Sequence, residues 1–466
     1  MKPTALLLPA LLASPLLSQE APNVILVLAD DLGYGELGSY GQEHIETPNL
    51  DRLAAEGMRF TQHYSGAPVC APSRYVLMTG RNSGHATIRN NLKVQSEGQT
   101  PIPSGELTLG ELLKGAGYAT GVFGKWGLGF PGSEGDPLAQ GFDRFFGYNC
   151  QVHAHNFYPR YLWSDEETVD LEGNDRGLTG AQYSHDVIEA ELLDFIRANK
   201  DRPFFCYVPS TIPHLALQVP ESTLAQYRGR WEETPYERRS YLPHPTPRAA
   251  YAAMITHLDA SLGRIMELLQ ELELEERTLV LFTSDNGATH LNPQVDVEFF
   301  KSSGALRGLK GSVYEGGVRV PLIARWKGQV PAGATSSHLS AFEDYMPTLA
   351  AVAGVELSTG TDGISFLPTL LGDPEAQEQH EYLFWDFPGY GGQIAVRRGR
   401  WKAVRRGLKK NADAPLELYD LENDPGEGTD VAVDHPDIAL EMARIMIEAR
   451  TTPAEEKFRF GTYGDG

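Results

Sequence analysis

Short apolar runs alternate with helical patterns from about residue 23 to residue 370 of the chain. Four of these runs are short and rich in β-branched or aromatic residues, so each predicts a buried strand. They cover residues 23–29, 118–123, 203–208 and 278–283. Strands that alternate with helices are typical of βαβ units around a largely parallel sheet. The pattern therefore predicts an α/β fold.

Two helices between the strands are predicted from their start signals. The first has Thr47 at its N-cap and Pro48 at its first position, and Gly57 ends it. The second begins with a capping box, in which Thr108 and Glu111 satisfy each other's backbone N–H groups.

A third, longer helix is predicted to begin at Thr246 and Pro247. Its apolar residues recur every three to four positions up to Leu269, which indicates a buried stripe. His257 and Asp259 lie within this helix, and core packing with polar flanks is the favoured interpretation of both.

The pattern changes after about residue 372. Short strands at residues 382–386, 392–397, 401–405 and 416–421, followed by a helix at residues 436–450, predict an α+β subdomain. We therefore expect a larger domain over residues 19–372 and a smaller subdomain over residues 373–466. The subdomain contains the main basic cluster, interpreted as a solvated face, with a substrate-binding edge as the alternative. The cluster consists of Arg397, Arg398, Arg400, Arg405 and Arg406.

The start of the chain has the pattern of a secretory signal peptide. Lys2 precedes an apolar stretch from Ala5 to Leu17, and polar residues follow it. A stretch of about 13 residues is too short to span a bilayer as a helix. The alternative is the apolar N-terminus of a cytosolic protein. We expect a signal peptide over residues 1–18, export to the periplasm or the extracellular space, and no membrane anchor.

Composition and charge exclude several classes of protein. Of 466 residues, 41 % are hydrophobic and 22 % are charged, as in folded globular proteins. The net charge of −22 repels the phosphates of a nucleic acid, so no nucleic-acid partner is expected. Three scattered cysteines are too few for a disulfide framework. An anionic substrate would need a locally positive pocket.

Chemically active residues follow each of the four predicted strands. Ligands of parallel sheets bind beyond the carboxyl ends of the strands, so these residues are expected to converge. They are Asp30, Asp31, Lys125, His214, Asp285 and Asn286. Three close carboxylates repel one another unless a cation is present, and oxygen ligands suit Ca²⁺ or Mg²⁺. Taken singly, each acidic pair is also an ordinary loop, cap or turn sequence.

Residues 70–80 read CAPSRYVLMTG. Pro72 suits the first turn of a helix, which places Cys70 at or near a helix N-terminus, where an anion is favoured. Arg74 would project from the first turn beside it. This local pattern allows either a low-pKa thiolate nucleophile or a buried structural cysteine.

This segment resembles the signature of the type I sulfatases of the alkaline-phosphatase-like superfamily, C-x-P-S-R followed after four residues by T-G. Further stretches match that family in order, at residues 23–31, 117–126, 203–214, 283–287 and 306–319. The resemblance implies an alkaline-phosphatase-like fold, with a mostly parallel sheet flanked by helices. It also implies the hydrolysis of sulfate monoesters. In this family a formylglycine-generating enzyme converts the cysteine to formylglycine, whose aldehyde hydrate is the nucleophile.

The resemblance also implies a role for each matching residue. The Ca²⁺ ligands would be Asp30, Asp31, Asp285, Asn286 and the modified Cys70. Arg74 would orient the formylglycine hydrate, and Lys125 and Lys310 would bind the sulfate oxygens. His214 would protonate the departing alcohol.

One position departs from the family pattern. Its second signature usually reads G-K-W-H, whereas residues 124–127 read GKWG, so Gly127 replaces the histidine expected to act on the hemiacetal. His85, His153 and His155 are candidate replacements by residue type. For each of them, a substrate-binding or structural role is the favoured interpretation.

A sulfated carbohydrate is the expected substrate, and the candidate substrate-binding residues are His153, His155, Arg89 and Asn90. The aromatic residues Tyr158, Tyr161 and Trp163 are either part of such a site or packing residues. Two rival functions remain: a phosphonate or phosphodiester hydrolase on the same fold, and a non-catalytic glycan-binding relative.

Overall fold

The computed structural model describes residues 21–95, 97–237, 241–291, 294–357 and 360–464. The predicted signal peptide lies outside the described residues. The strands are β1 (Asn23–Ala29), β2 (Met58–Tyr64), β3 (Ala119–Lys125), β4 (Arg144–Tyr148), β5 (Tyr161–Ser164), β6 (Glu167–Asp170), β7 (Phe204–Pro209), β8 (Thr278–Ser284), β9 (Arg319–Arg325), β10 (Ala334–Ser336), β11 (Ser340–Ala341), β12 (Leu383–Phe387), β13 (Gln393–Arg398), β14 (Trp401–Arg406) and β15 (Glu417–Asp420). The α-helices are α1 (Pro48–Glu56), α2 (Cys70–Thr79), α3 (Leu109–Gly115), α4 (Ser184–Ala198), α5 (Glu221–Leu224), α6 (Pro247–Glu271), α7 (Glu315–Val318), α8 (Tyr345–Ala353), α9 (Leu367–Leu370) and α10 (Pro436–Glu448).

Within the described residues, β1–β11 form one large sheet. Its order is β10-β2-β9-β8-β1-β7-β3-β4-β5-β6, and β11 also pairs with β2. The five central strands, β8, β1, β7, β3 and β4, are all parallel to one another. The antiparallel pairs involve β9 on one side and β5 and β6 on the other. The predicted α/β fold with a mostly parallel sheet is confirmed.

The four predicted strands correspond to β1, β3, β7 and β8. All four are buried along their whole length, which explains why they read as continuous apolar runs. Successive side chains of β1 face two separate cores. Ile25 and Val27 pack with α1, α4 and α6 on one face, whereas Val24, Leu26 and Leu28 pack with α2, α3 and α8 on the other.

Helix α1 begins and ends where the sequence predicts, but its N-terminus is satisfied by a distant residue. Thr47 occupies the N-cap position without making a side-chain cap. Instead, Asp259 of α6 accepts hydrogen bonds from the backbone N–H groups of Asn49 and Leu50, at 3.2 and 2.7 Å. His257 bonds to neighbouring polar side chains in the same layer. The packing role predicted for both α6 residues is confirmed.

The predicted capping box of α3 is also confirmed. The Thr108 Oγ1 atom accepts a hydrogen bond from the Glu111 N–H at 3.2 Å, and the Glu111 carboxylate accepts one from the Thr108 N–H at 3.0 Å.

The C-terminal subdomain is an antiparallel sheet of β12–β15 with α10 packed against it. Four of the five arginines predicted to form one basic face divide into two groups. Arg398, Arg400 and Arg406 pair with carboxylates in exposed or partly exposed positions. Arg397 is instead buried, and its guanidinium donates a hydrogen bond to the Tyr64 hydroxyl. A substrate-binding edge is therefore not formed by the cluster as a whole.

A buried ion-pair group joins this subdomain to the large sheet domain. Asp386 of β12 is fully buried, and its carboxylate lies 2.8 Å from the guanidinium groups of both Arg89 and Arg450. Burial of both partners makes this contact sensitive to the loss of either one.

Candidate active site

Cys70 is the first residue of α2 and is buried at the carboxyl edge of the parallel strands. Its Sγ atom lies 3.3 Å from the Lys310 Nζ and 3.6 Å from the Asp30 Oδ1. Burial raises the pKa of the Cys70 thiol to about 12, and Lys125 and Lys310 only partly offset this effect. For the unmodified side chain, this direction favours the protonated thiol over the low-pKa thiolate.

Asp30 and Asp285 are held by two buried cations. The Lys125 Nζ lies 2.6 Å from the Asp30 Oδ2, and the Arg74 Nε and Nη2 atoms donate to the Asp285 Oδ2 at 3.0 and 2.8 Å. Arg74 lies one helical turn after Cys70, so its guanidinium reaches the strand ends beneath the cysteine.

Asp31 links the remaining residues of the group. Its backbone φ of 68° lies in the left-handed region, which turns the chain at the end of β1. The carboxylate accepts hydrogen bonds from the Lys310 Nζ and the Asn286 Nδ2, both at 2.8 Å. The Asp31 N–H donates to the Asp285 Oδ1 at 3.1 Å. Five of the six strand-end residues, all but His214, are thereby joined with Arg74 and Lys310 into one hydrogen-bonded group.

The electrostatics of the two buried carboxyl groups differ. Burial opposes ionisation of Asp30, but Lys125, His214 and Arg74 together hold the Asp30 pKa well below its usual range. Burial and the neighbouring Asp30 charge raise the pKa of Asp285 to about 6, although Arg74 lies beside it. Like-charge repulsion of this kind is what a bound divalent cation relieves.

The described residues contain a possible acidic metal site. Ligand atoms of Asp30, Cys70 and Asp285 lie within 4.8 Å of one another, as do those of Asp30, Asp31 and His214. The Asn286 Oδ1 atom is buried without a hydrogen-bond partner among the described residues. An oxygen-rich donor set with an unpaired amide oxygen fits a hard cation such as Ca²⁺.

His214 lies at the edge of this group, next to His155. The His214 Nδ1 donates to the Leu215 carbonyl at 2.6 Å, which turns Nε2 toward the Asp31 carboxylate at 3.7 Å. The two histidine rings stack with centroids 4.6 Å apart. Burial, followed by His214, Lys125 and Lys310, lowers the pKa of His155 to about 2. Of the sequence-predicted histidines, His155 is thus placed beside the candidate active-site residues.

His153 lies in a separate packed cluster. Its Nδ1 atom is 3.1 Å from the Glu97 Oε1, and the Trp163 Nε1 donates to the same carboxylate oxygen at 2.7 Å. Tyr161 also donates to Glu97, and Tyr158 is buried in the core. These contacts favour the packing interpretation of the three aromatic residues.

His85, Arg89 and Asn90 are held by other contacts. His85 pairs with Asp362 at 2.9 Å, and the Asn90 Oδ1 accepts the N–H of the next residue. Arg89 is buried and bound to Asp386, so the structure gives it a structural role rather than the predicted position facing a sugar.

The space beside Gly127 is filled by Gln151, which the sequence did not single out. A Cβ atom at position 127 would lie 3.2 Å from the Gln151 Cγ and 3.3 Å from its Nε2, and the Gly127 φ of 75° also disfavours a side chain. The Gln151 amide donates to the Asn91 Oδ1 at 3.4 Å, and that oxygen accepts the Ala71 N–H at 2.9 Å. This network ends beside Cys70.

Comparison with known proteins identifies the family. The family model described as Sulfatase matches residues 22–355, and one described as N-sulphoglucosamine sulphohydrolase, C-terminal, matches residues 309–451. The chain belongs to the sulfatase family. It is 35 % identical to human arylsulfatase A over 456 residues, covering 89 % of this chain and 84 % of that protein. It is 36 % identical to N-acetylgalactosamine-6-sulfatase from Canis lupus familiaris over 409 residues, covering 82 % of this chain and 72 % of that protein.

A solved structure agrees with this assignment. The crystal structure of Ps i-CgsB is 29 % identical to this chain in sequence, with a TM-score of 0.77, and the match covers 92 % of each chain. The same protein is also solved in complex with k-i-k-neocarrahexaose. The sulfatase activity and the alkaline-phosphatase-like fold expected from the sequence are therefore confirmed. The chain is an enzyme that hydrolyses sulfate esters.

Proposed function

We propose that this sulfatase removes sulfate from a sulfated carbohydrate, using formylglycine at position 70 and a bound Ca²⁺ ion. The observation that carries the proposal is the convergence of Cys70, three carboxylates and three buried cations at one edge of the parallel sheet. The family supports sulfate ester hydrolysis, and the residues present fit the metal and the modification that the resemblance implies.

The ligands proposed for calcium are Asp30, Asp31, Asp285, Asn286 and the modified residue at position 70. Calcium would supply positive charge that favours ionisation of the nucleophile and neutralises charge developing on the ester. The three carboxylates are balanced by Arg74, Lys125 and Lys310 in the structure. A divalent ion would therefore leave the pocket with a net charge of about +2, which suits an anionic ester although the whole protein is acidic.

The proposed nucleophile needs chemical conversion of Cys70. Burial raises the pKa of the thiol, which disfavours the thiolate form that a cysteine nucleophile needs. Conversion of Cys70 by a formylglycine-generating enzyme during maturation would replace the thiol with an aldehyde, whose hydrate supplies a hydroxyl nucleophile. Arg74 lies one turn along α2 and would keep the site oriented through its two hydrogen bonds to Asp285.

Lys125 and Lys310 are the proposed sulfate-binding residues. Both ammonium groups lie at the carboxylates of the metal site, and Lys310 also reaches the Cys70 Sγ at 3.3 Å. An ester positioned for attack at residue 70 would therefore have its sulfate oxygens within reach of fixed positive charge. Charge fixed in place before the reaction is the main source of transition-state stabilisation in such sites.

His214 is proposed to protonate the departing alcohol. Its Nδ1 atom is committed to the Leu215 carbonyl, so Nε2 is the nitrogen that faces the site. Burial and Lys310 hold the pKa of His214 well below its usual range. The negative charge of a bound sulfate would favour the protonated form and so couple proton transfer to substrate binding.

His155 is the candidate for the histidine missing at Gly127. It stacks on His214, whereas His85 and His153 are paired with carboxylates in other contacts. Replacing each of the three with alanine and measuring covalently bound sulfate by mass spectrometry tests this role. Accumulation in His155→Ala alone supports it, and its absence from His155→Ala contradicts it.

A carbohydrate substrate is supported by the relatives. Ps i-CgsB is solved with a neocarrahexaose, and N-acetylgalactosamine-6-sulfatase is named for a sulfated sugar. The decisive experiment compares rates on a panel of sulfated sugars, an aryl sulfate and an aryl phosphodiester, with protein made with and without a formylglycine-generating enzyme. Hydrolysis of a sulfated sugar that is lost in Cys70→Ala supports the proposal. Faster hydrolysis of the phosphodiester supports the rival phosphodiesterase. Hydrolysis of the aryl sulfate but of none of the sulfated sugars contradicts the carbohydrate substrate.

Export to the periplasm or the extracellular space is proposed from the first 18 residues. In the part of the chain that the structure describes, none of the helices has the length and apolarity needed to cross a membrane. Fractionating host cells and sequencing the N-terminus of the recovered protein tests export. Protein retained in the cytoplasm with its first residue intact contradicts it.

A further inference from the structure

Tyr390 presents an aromatic ring to solvent beside the candidate sulfate-binding residues. It lies in the loop between β12 and β13, and 65 % of its surface is exposed. Among the exposed large hydrophobic side chains of the described residues, it is the only aromatic one. This loop belongs to the C-terminal subdomain, so Tyr390 is brought to the site by the packing of that subdomain on the large sheet domain.

The backbone of this loop is held in an unfavourable conformation. Tyr390 has a φ of 47°, and the two residues that follow it, Gly391 and Gly392, have φ of 92° and 80°. A left-handed conformation costs little for glycine but is unfavourable for an aromatic residue. Residues held in this way concentrate at functional sites, where the surrounding structure fixes one side-chain position.

The Tyr390 ring is fixed against residues next to the pocket. It packs directly on Gly311, since a Cβ atom there would lie only 2.6 Å from the Tyr390 Cε2. Gly311 follows Lys310, whose ammonium group contacts Asp31 and Cys70. The Tyr390 hydroxyl lies 3.3 Å from the His290 Nε2, and the two rings are 5.8 Å apart in an edge-on arrangement.

Charged groups of the candidate active site act on His290. Burial and then Lys310 lower the pKa of His290, and Asp31 acts in the opposite direction. The imidazole therefore lies within the field of the same two groups that are proposed to hold sulfate and metal. Its ring nitrogens are able to exchange hydrogen bonds with hydroxyl groups.

We propose that Tyr390 and His290 form a sugar-binding subsite at the mouth of the sulfate pocket. The exposed face of Tyr390 packs against the apolar face of the pyranose that carries the reacting sulfate, and His290 hydrogen-bonds to one of its hydroxyl groups. An apolar surface with a few placed polar groups is the usual construction of a small-ligand site. The proposal rests on the proposed function, because Lys310 must hold the sulfate for the sugar to lie over Tyr390.

The test separates sugar binding from sulfate binding. Tyr390→Ala, Tyr390→Leu and Tyr390→Phe are compared with the wild type, all matured with a formylglycine-generating enzyme and loaded with calcium. Two quantities are measured: the KM for N-acetylgalactosamine 6-sulfate and for sulfated carrageenan oligosaccharides, and the inhibition constant of inorganic sulfate. Inorganic sulfate reports on the lysine pocket alone. Circular dichroism and thermal melting check that each variant is folded.

A stacked aromatic ring contributes enough to raise the KM about 3- to 10-fold when it is removed. We expect this increase in Tyr390→Ala and Tyr390→Leu, a smaller increase in Tyr390→Phe, and an unchanged inhibition constant for sulfate. An unchanged KM in Tyr390→Ala overturns the subsite. An equal rise in KM and in the sulfate inhibition constant also overturns it, because the ring would then serve only to position Lys310. If the wild type hydrolyses an aryl sulfate but none of the sugars, the proposed carbohydrate substrate fails instead.

Discussion

Replacing Lys310 with methionine tests the proposed sulfate-binding role most sharply. The Lys310 side chain is 8 % exposed, and its Nζ lies 2.7 Å from the Asp31 Oδ1 and 3.3 Å from the Cys70 Sγ. Methionine keeps an unbranched apolar stem of similar length but removes the charge. The substitution therefore changes the electrostatics of the pocket more than its packing.

The magnitude follows from the position of the ammonium group. A sulfate attacked at residue 70 would place an oxygen at about 4 Å from this charge, where a pair of unit charges interacts by about 4 kcal/mol at an effective dielectric constant of about 20. Removing one preorganised charge-stabilising group from an active site costs about 10²- to 10³-fold in kcat. We expect Lys310→Met to lower kcat on the best sulfated sugar by this factor.

Steady-state kinetics with the calcium-loaded, matured protein measures the effect. Lys327→Met is the matched control, because Lys327 is half exposed and pairs with Glu275 at 3.1 Å away from the site. The control is expected to retain the wild-type rate. A Lys310→Met enzyme that stays within threefold of the wild type, with an unchanged melting temperature, refutes the sulfate-binding role.

Three further predictions concern the metal, the subdomain contact and Gly127. Chelation of calcium should lower the melting temperature, since a ligand at one hundred times its Kd stabilises a protein by about 2.7 kcal/mol. Superimposable melting curves with and without chelator would contradict a bound ion. Asp386→Ala leaves two arginines buried without their carboxylate and should lower the free energy of unfolding by about 3–5 kcal/mol. The control is Glu221→Ala, which removes an exposed ion pair and should lower the free energy of unfolding by less than about 1 kcal/mol. Equal losses of the two variants in urea titrations would contradict the buried pairing. Gly127→Ala should lower the free energy of unfolding by roughly 1–2 kcal/mol because of the left-handed backbone at this position, and the contact with Gln151 should add to that loss. A free energy of unfolding equal to that of the wild type, measured by the same titration, contradicts this prediction.

In the large sheet, the four strands that are buried along their whole length could be predicted from the sequence, whereas β9, β10 and β11 could not. Strand β1 is an unbroken apolar run, so its prediction matches the structure. Strand β9 begins and ends with arginine and contains a proline, and β10 and β11 have only three and two residues. Their pairing depends on neighbours that are distant in the chain, which local periodicity does not reveal.

The candidate site divides in a similar way. Asp30 and Asp285 follow buried parallel strands, so topology alone predicted that they would meet. Lys310 follows no predicted strand, and only the family resemblance pointed to it. Gln151 was missed because its relation to Gly127 is purely three-dimensional. Likewise, Asp259 caps α1 across more than two hundred residues of sequence, a contact without a local signal.

Formylglycine at position 70 is tested by the mass of the peptide that contains this residue, taken from a sample whose sulfatase activity has been measured. We expect a peptide lighter than the thiol form by the mass difference between cysteine and formylglycine, and its share of the sample should rise in proportion to the activity. A fully active preparation in which residue 70 is an unmodified cysteine would contradict this expectation.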